Sequence, residues 1–315
     1  MSGRFAFVLR RLLSLLPLLL GILLLAMLLL SLAPGDPARQ VAGPRAPQSE
    51  VDEVARELGL DRPVVERYAL YVAQVASGDL GTSVKTGQSV GDQVVDQLPV
   101  TLAVASLGVL LALLVTVPLA VAAARRPDGP VDHLIRLLAV FGIGLPTFWI
   151  AIMGIRFIAL PTGWFPVAGT GEGAGDFLRA LVLPASVVAI SILAPMVRSL
   201  RATMMELEEA EFVLAARTLG FRGGSLLRRF QLRNAVPPLI TVTAAQAGYA
   251  LFGTVVVEVA FGLPGLGQGL VVASSTQDFP LVQGYVIVFA VLVVLLYLVA
   301  DVLNAAVDPR VRITA

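Results

Sequence analysis

The chain has 315 residues, of which 57% are hydrophobic and 14% charged, and its formal net charge is +1. That charged share is too small to cover a soluble domain, so the chain is expected to spend much of its surface in a bilayer and to take no nucleic-acid partner. It has no cysteine and one histidine, His133, which excludes disulfides, thiolate metal sites, cysteine nucleophiles and multi-histidine metal centres.

The apolar residues fall in blocks. Charge-free intervals cover residues 12–35, 97–124, 137–155, 180–197, 234–257 and 279–300. About 20 residues suffice for a helix to cross the hydrocarbon, so six transmembrane helices are expected. Backbone groups in lipid must pair within their own segment, so the expected fold is an all-α polytopic membrane protein. The first interval follows Arg10 and Arg11 but is longer than the apolar core of a secretory signal, and it reads as a retained helix.

Arginines orient the spans. Arg4, Arg10 and Arg11, then Arg125, Arg126 and Arg136, then seven between residues 198 and 233, then Arg310 and Arg312 all fall on one side if there are six spans. The positive-inside rule makes that side, and both termini, cytoplasmic. The chain then divides into 1–33 (N-terminal segment and first helix), 34–98 (extracytoplasmic insertion), 99–305 (core, with a cytoplasmic region 198–236) and 306–315 (cytoplasmic tail).

Within the insertion, residues 49–58 read as a helix with Ser49 as N-cap, Asp52 as its capping partner and Gly59 as its stop. Residues 63–75 read as a second helix ended by Gly78, and Gly78-Asp79-Leu80-Gly81 as a turn. Residues 89–98 read as a short helix entering the second span. The insertion is a structural cap, a docking surface for a delivery protein, or both. Further on, residues 160–176 form a Gly- and Pro-rich loop whose Trp164 and Phe165 suit a membrane interface. Residues 261–269 (FGLPGLGQG) read as a re-entrant or mouth-lining turn.

Catalytic motifs are missing. A phosphate-binding loop needs a glycine before its Lys-Thr pair, and Val84 precedes Lys85-Thr86. There is no HExxH and no Gly-x-Ser-x-Gly, so the chain reads as neither an enzyme nor an ATPase by itself. Ionisable groups in or beside the spans are few. Arg156 is expected to snorkel, Asp301 to sit at the membrane edge and His133 in a solvated loop. Glu258, at the outer end of the fifth span, reads as a path-facing acid or as half of a buried pair with Arg156. Few buried charges argue against an ion-driven carrier or channel, while Pro118, Pro146, Pro184 and Pro195 bend or interrupt helices.

The polar run 198–238 is the longest in the second half. Residues 204–219 read as one helix, with Phe212, Ala215, Ala216 and Leu219 at i, i+3, i+4 and i+7 forming an apolar face small enough in its middle for another surface to approach. Glu206, Glu208, Glu209 and Glu211 load its first half, Arg217 its last turn, and Gly220 stops it. Arg222-Gly223-Gly224 reads as a turn, and Ser225 as the cap of a basic segment running to Arg233 along the inner membrane surface, before Pro237 and Pro238 open the fifth span.

Here the chain resembles a family. Ala215-Ala216 followed after three residues by Gly220 is similar to the cytoplasmic signature of binding-protein-dependent ABC importer permeases. Glu211-Phe212-Val213, Arg217, Leu232-Arg233-Asn234-Ala235 and Pro238 resemble the form found in dipeptide/oligopeptide permeases. So do Pro34-Gly35-Asp36-Pro37, Gly78-Asp79-Leu80-Gly81-x-Ser83, Pro99-x-Thr101-Leu102, Gly144-x-Pro146-x-Phe148-Trp149, Gly163-Trp164-Phe165-Pro166-Val167, Pro264-Gly265-Leu266-Gly267 and Asp308-Pro309-Arg310. Leu214 stands where the general signature has glutamate, and Phe230 and Arg233 where it has isoleucine and proline; Glu211 is a candidate substitute for the missing acid.

The resemblance implies a MetI-like permease core that pairs with a homologous second permease. It also implies two ABC ATPase subunits, which would carry the ATP and Mg that this chain does not bind, and an extracytoplasmic substrate-binding protein. Peptides are the implied cargo, with nickel, glutathione or another small solute as the close alternative. The helix ending at Gly220 would be the coupling helix, presenting Glu211, Phe212, Ala215, Ala216, Arg217, Leu219 and Gly220 to an ATPase. Glu258, Pro264, Gly265 and Gly267 would mark the translocation path or outer gate. The rivals are a self-sufficient carrier or a structural membrane scaffold.

Overall fold

The structure is a computed structural model that describes residues 13, 16–28, 37–43, 45–57, 61–130, 132, 133, 135, 137 and 144–307. Outside helices, the pairing among these residues is one isolated bridge between Thr82 and Ser89. The helices are α1 (Leu16–Leu28), α2 (Pro37–Ala42), α3 (Gln48–Glu57), α4 (Val64–Ala76), α5 (Val90–Arg125), α6 (Thr147–Thr162), α7 (Ala174–Glu209), α8 (Glu211–Thr218), α9 (Gly223–Phe261), α10 (Leu266–Ser275) and α11 (Phe279–Val307). Four of them, α5, α7, α9 and α11, are long and apolar enough to cross a membrane, and α1 and α6 are shorter apolar helices. The expected first and third spans run into residues outside the described set, as do Gly59 and the tail 308–315. At 36 residues and about 1.5 Å per residue, α5 and α7 are much longer than a hydrocarbon core needs, so their ends stand in the aqueous or interfacial layers.

The chain forms two compact units. The first, Met1–Pro99 with Gly265–Val294, holds the insertion, α10 and the first half of α11. Tyr285 is fully buried there and its hydroxyl donates to Gln97 Oε1 at 3.0 Å. Gly269 permits this approach, since a Cβ on it would lie 2.6 Å from the Tyr285 hydroxyl. The second unit, Val100–Pro264 with Leu295–Ala315, centres on α7 packed along α9. Its core includes Val104, Val188, Ile192, Met196, Ala250, Val257 and Phe261. Gly108 lets α5 close on α7, where a Cβ would meet Val188 at 2.7 Å. Close contact at small residues is the usual way membrane helices gain dispersion energy.

Several expected boundaries move, for local reasons. Ser49 lies inside α3, because the Pro47 carbonyl accepts from the Glu50 and Val51 N–H groups and the helix opens one residue early. Gln48, not Ser49, then reaches Asp52, at 2.9 Å. The second insertion helix starts after Pro63 as expected, is capped at Ser77, and is followed by Gly78 in the left-handed region. Residues 90–98 are no separate short helix but the first turns of α5. The glycine-dense 261–269 segment folds as a left-handed Gly262 followed by a three-residue link into α10, with Leu263, Leu266 and Gly267 buried.

Candidate functional site

The region expected as a single helix over 204–219 is broken at Ala210, whose backbone is extended (φ −65°, ψ 137°). The break leaves Glu206, Glu208 and Glu209 at the C-terminal end of α7, where a helix dipole disfavours acids. Restarting at residue 211 instead makes Glu211 the first-turn acid of α8 and Arg217 its last-turn base, both favourable.

α8 ends as the glycine predicts. Gly220 has φ +90°, the Phe221 N–H donates to the Ala216 carbonyl at 3.1 Å, and the Gly220 N–H donates to Arg217 at 3.0 Å. This is a Schellman closure, which needs a residue without a Cβ penalty at the left-handed position. Phe221 then stacks at 60° on Phe230, ring centroids 5.1 Å apart, which gives a structural role to the phenylalanine that departs from the general signature.

The faces of α8 differ from the sequence expectation. Val213 and Ala216 are turned inward, 0% and 3% exposed, and pack with Leu226, Phe221 and Phe230 as a small satellite core. Ala216 is therefore part of the helix's support, not of the face it presents. Phe212, Ala215 and Leu219 stay exposed, with Leu219 at 78%, as do Glu211 and Leu214. Arg217 is not free either: its guanidinium pairs with Glu208. The other carboxylate oxygen of Glu208 accepts from the Gln231 amide.

Gln231 reaches Glu208 because the helix around it is irregular. Residues Leu227–Gln231 form a π turn within α9, and its wider winding turns Gln231 inward (6% exposed) while Arg228, Arg229 and Arg233 remain exposed. No separate basic segment lies before the fifth span. From Gly223 to Phe261 the helix is unbroken, with Pro237 and Pro238 inside it. Ser225 is no cap; Arg222 holds the N-cap position, and the Ser225 hydroxyl donates back to its carbonyl at 2.8 Å.

Glu258, the acid expected in a path or a pair with Arg156, is fully buried within the second unit. The hydroxyl of Thr101 on α5 donates to it at 2.8 Å, whereas Arg156, in the π turn of α6, is exposed. Thr101 takes the place given to Arg156 in the expected pair. Two further polar joints had no signal beyond their residue types. Ser83 donates to Asp278, which also accepts from the Val84 and Lys85 N–H groups at 3.3 and 3.4 Å. The Arg201 Nη2 donates to Oδ2 of the buried Asp132 at 2.7 Å, and its Nε lies 2.5 Å from Oδ1 in the same ion pair.

Residues 116–313 match the family described as binding-protein-dependent transport system inner membrane component. Residues 4–105 match the corresponding N-terminal family. The chain is 33% identical to the oligopeptide transport system permease protein AppB of Bacillus subtilis, over 98% of this chain and 99% of that one. It is 34% identical to the probable D,D-dipeptide transport system permease protein DdpB of Escherichia coli, over 92% and 93%. To the glutathione transport system permease protein GsiC of Salmonella paratyphi A it is 33% identical, over 97% and 98%. The fold is also similar to a chain of the MetNI methionine ABC transporter solved in inward-facing conformations (TM-score 0.55, 18% identity, 68% of this chain and 96% of that one).

Proposed function

This chain belongs to the family of binding-protein-dependent transport system inner membrane components, as a permease subunit of an ABC importer, and we propose that it carries di- or oligopeptides across the cytoplasmic membrane. Full-length likeness to permeases named for oligopeptide and D,D-dipeptide transport supports that cargo. Glutathione, itself a modified tripeptide, is the second reading, favoured by equal likeness to GsiC. Both termini and the 198–236 region face the cytoplasm, since the arginine-bearing loops lie on that side. A homologous second permease completes the pore, two ATPase subunits lie below it, and a binding protein delivers substrate from outside.

The observation that carries the mechanism is the exposed row Phe212, Ala215 and Leu219 on α8. An apolar strip of Phe and Leu flanking a small residue suits burial in a groove of a partner protein. That partner is an ATPase subunit, and α8 is the coupling helix. Closure of the ATPase pair on ATP pushes α8, and α8 moves α7 and α9 as rigid bodies. The test is uptake by proteoliposomes holding the complete transporter and its binding protein. ATP-dependent accumulation of labelled di- and oligopeptides is expected. Accumulation of glutathione alone would transfer the cargo to the second reading, and accumulation without ATPase subunits would overturn the importer mechanism.

A further inference from the structure

We infer that Glu208 is the positioning residue that sets the angle of α8 against α7 and α9 together, so that a push on α8 reaches both long helices at once. The inference rests on the coupling reading of α8. The covalent link between α7 and α8 is one extended residue, Ala210. A one-residue joint leaves the following helix free to swing about it, and a helix that swings absorbs a push instead of passing it on.

Glu208 removes that freedom. It sits one residue before the end of α7, and its two carboxylate oxygens go to different elements: one to Arg217 in the last turn of α8, the other to Gln231 in the π turn of α9. α8 is thus held at both ends, by the backbone at Ala210 and by the carboxylate at Arg217, and the same carboxylate ties in the next long helix. The satellite core of Val213, Ala216 and Leu226 presses α8 onto the first turn of α9, but it involves no side chain of α7. Among the described residues, Glu208 makes the side-chain hydrogen bond from α7 to α8.

Three local departures from regularity meet at this point. An acid stands at a helix C-terminus, where the dipole disfavours it. A π turn interrupts α9, a geometry frequent at functional sites. A glutamine is buried beside exposed arginines. Each is explained by the same three-way contact. Glu208 and Arg217 are 45% and 41% exposed, so their ion pair adds little to stability. Geometry, not stability, is what it supplies.

The test uses the complete transporter in proteoliposomes and reads peptide imported per ATP hydrolysed. Glu208→Ala is expected to lower that ratio about tenfold, within the range for residues along a coupling route, while the ATPase subunits still co-purify. Arg217→Glu should lower it likewise, and Glu208→Arg combined with Arg217→Glu should recover part of the loss. An unchanged ratio in Glu208→Ala overturns the inference. So does loss of the ATPase subunits, which would make Glu208 structural, and so does a swap no better than the single changes. Phe212→Asp separates the two levels. If it uncouples transport and Glu208→Ala does not, only the inference fails; if it leaves coupling intact, the coupling reading of α8 fails and the inference with it.

Discussion

Thr101 donates its hydroxyl hydrogen to Glu258 at 2.8 Å, and both side chains are fully buried although 157 positions separate them. The contact pins α5 to α9 inside the second unit. A carboxylate taken out of water is costly unless donors surround it, and removing one donor exposes that cost. Thr101→Val is therefore expected to lower stability by about 1–3 kcal/mol. Glu258→Ala should lose a similar amount, and the double variant should lose less than the sum. Thermal unfolding of the purified permease checks this, and full additivity would separate the two residues energetically.

Asp278 holds the loop that carries Lys85. It is 1% exposed and accepts from the Ser83 hydroxyl and from two backbone N–H groups of that loop. Lys85 is the only lysine in the chain, so a lysine-specific protease has one possible cut. Asp278→Ala should release the loop and speed that cut by about five- to 150-fold, an opening cost of about 1–3 kcal/mol converted to a rate. Equal cutting of both proteins would show that Asp278 does not brace the loop.

Arg201 and Asp132 form a two-point ion pair with the acid fully buried and the arginine side chain 18% exposed. Breaking such a pair from one side strands a buried charge and costs about 3–5 kcal/mol, whereas removing both partners costs less. Arg201→Ala should thus be more damaging than Arg201→Ala with Asp132→Ala, measured as loss of folded protein on heating. The reverse order would contradict the pairing.

Tyr71 on α4 lies in the insertion. Its hydroxyl is buried and finds no hydrogen-bond partner among the described residues, and burial pushes the phenol above its ordinary value of 10.0. The sign follows from that direction. Below pH 10 the group is neutral whether folded or unfolded; above it the unfolded chain ionises first, and stability falls as pH rises. Tyr71→Phe should match or exceed the parent by about 1 kcal/mol at neutral pH and remove this part of the alkaline loss. A clear loss of stability at neutral pH would reveal a partner for the hydroxyl.

The all-helical class and the apolar blocks of the four long helices were legible in sequence because the bilayer imposes them through length and composition. The Gly220 stop was legible because a left-handed C-terminal position selects glycine. The break at Ala210 was not, since Ala210 is compatible with a helix and the Phe212, Ala215, Ala216, Leu219 spacing survives it. Ala216 shared a helical face with Ala215 by spacing, yet the Schellman closure and Leu226 turn it inward. Glu208–Gln231, Ser83–Asp278 and Thr101–Glu258 depend on chain folding over 23, 195 and 157 positions, for which no local pattern exists.

The central claim is that α8 seats its Phe212, Ala215 and Leu219 row on an ATPase subunit. The absence of native cysteine makes site-directed crosslinking direct. Single changes Phe212→Cys, Ala215→Cys, Leu219→Cys and Ala216→Cys would each be treated with a short thiol-to-amine crosslinker in the assembled transporter. The account predicts covalent capture of the ATPase subunit from positions 212, 215 and 219 and none from the buried position 216. Capture from 216 as strong as from the other three, or capture from none of the four, would contradict it.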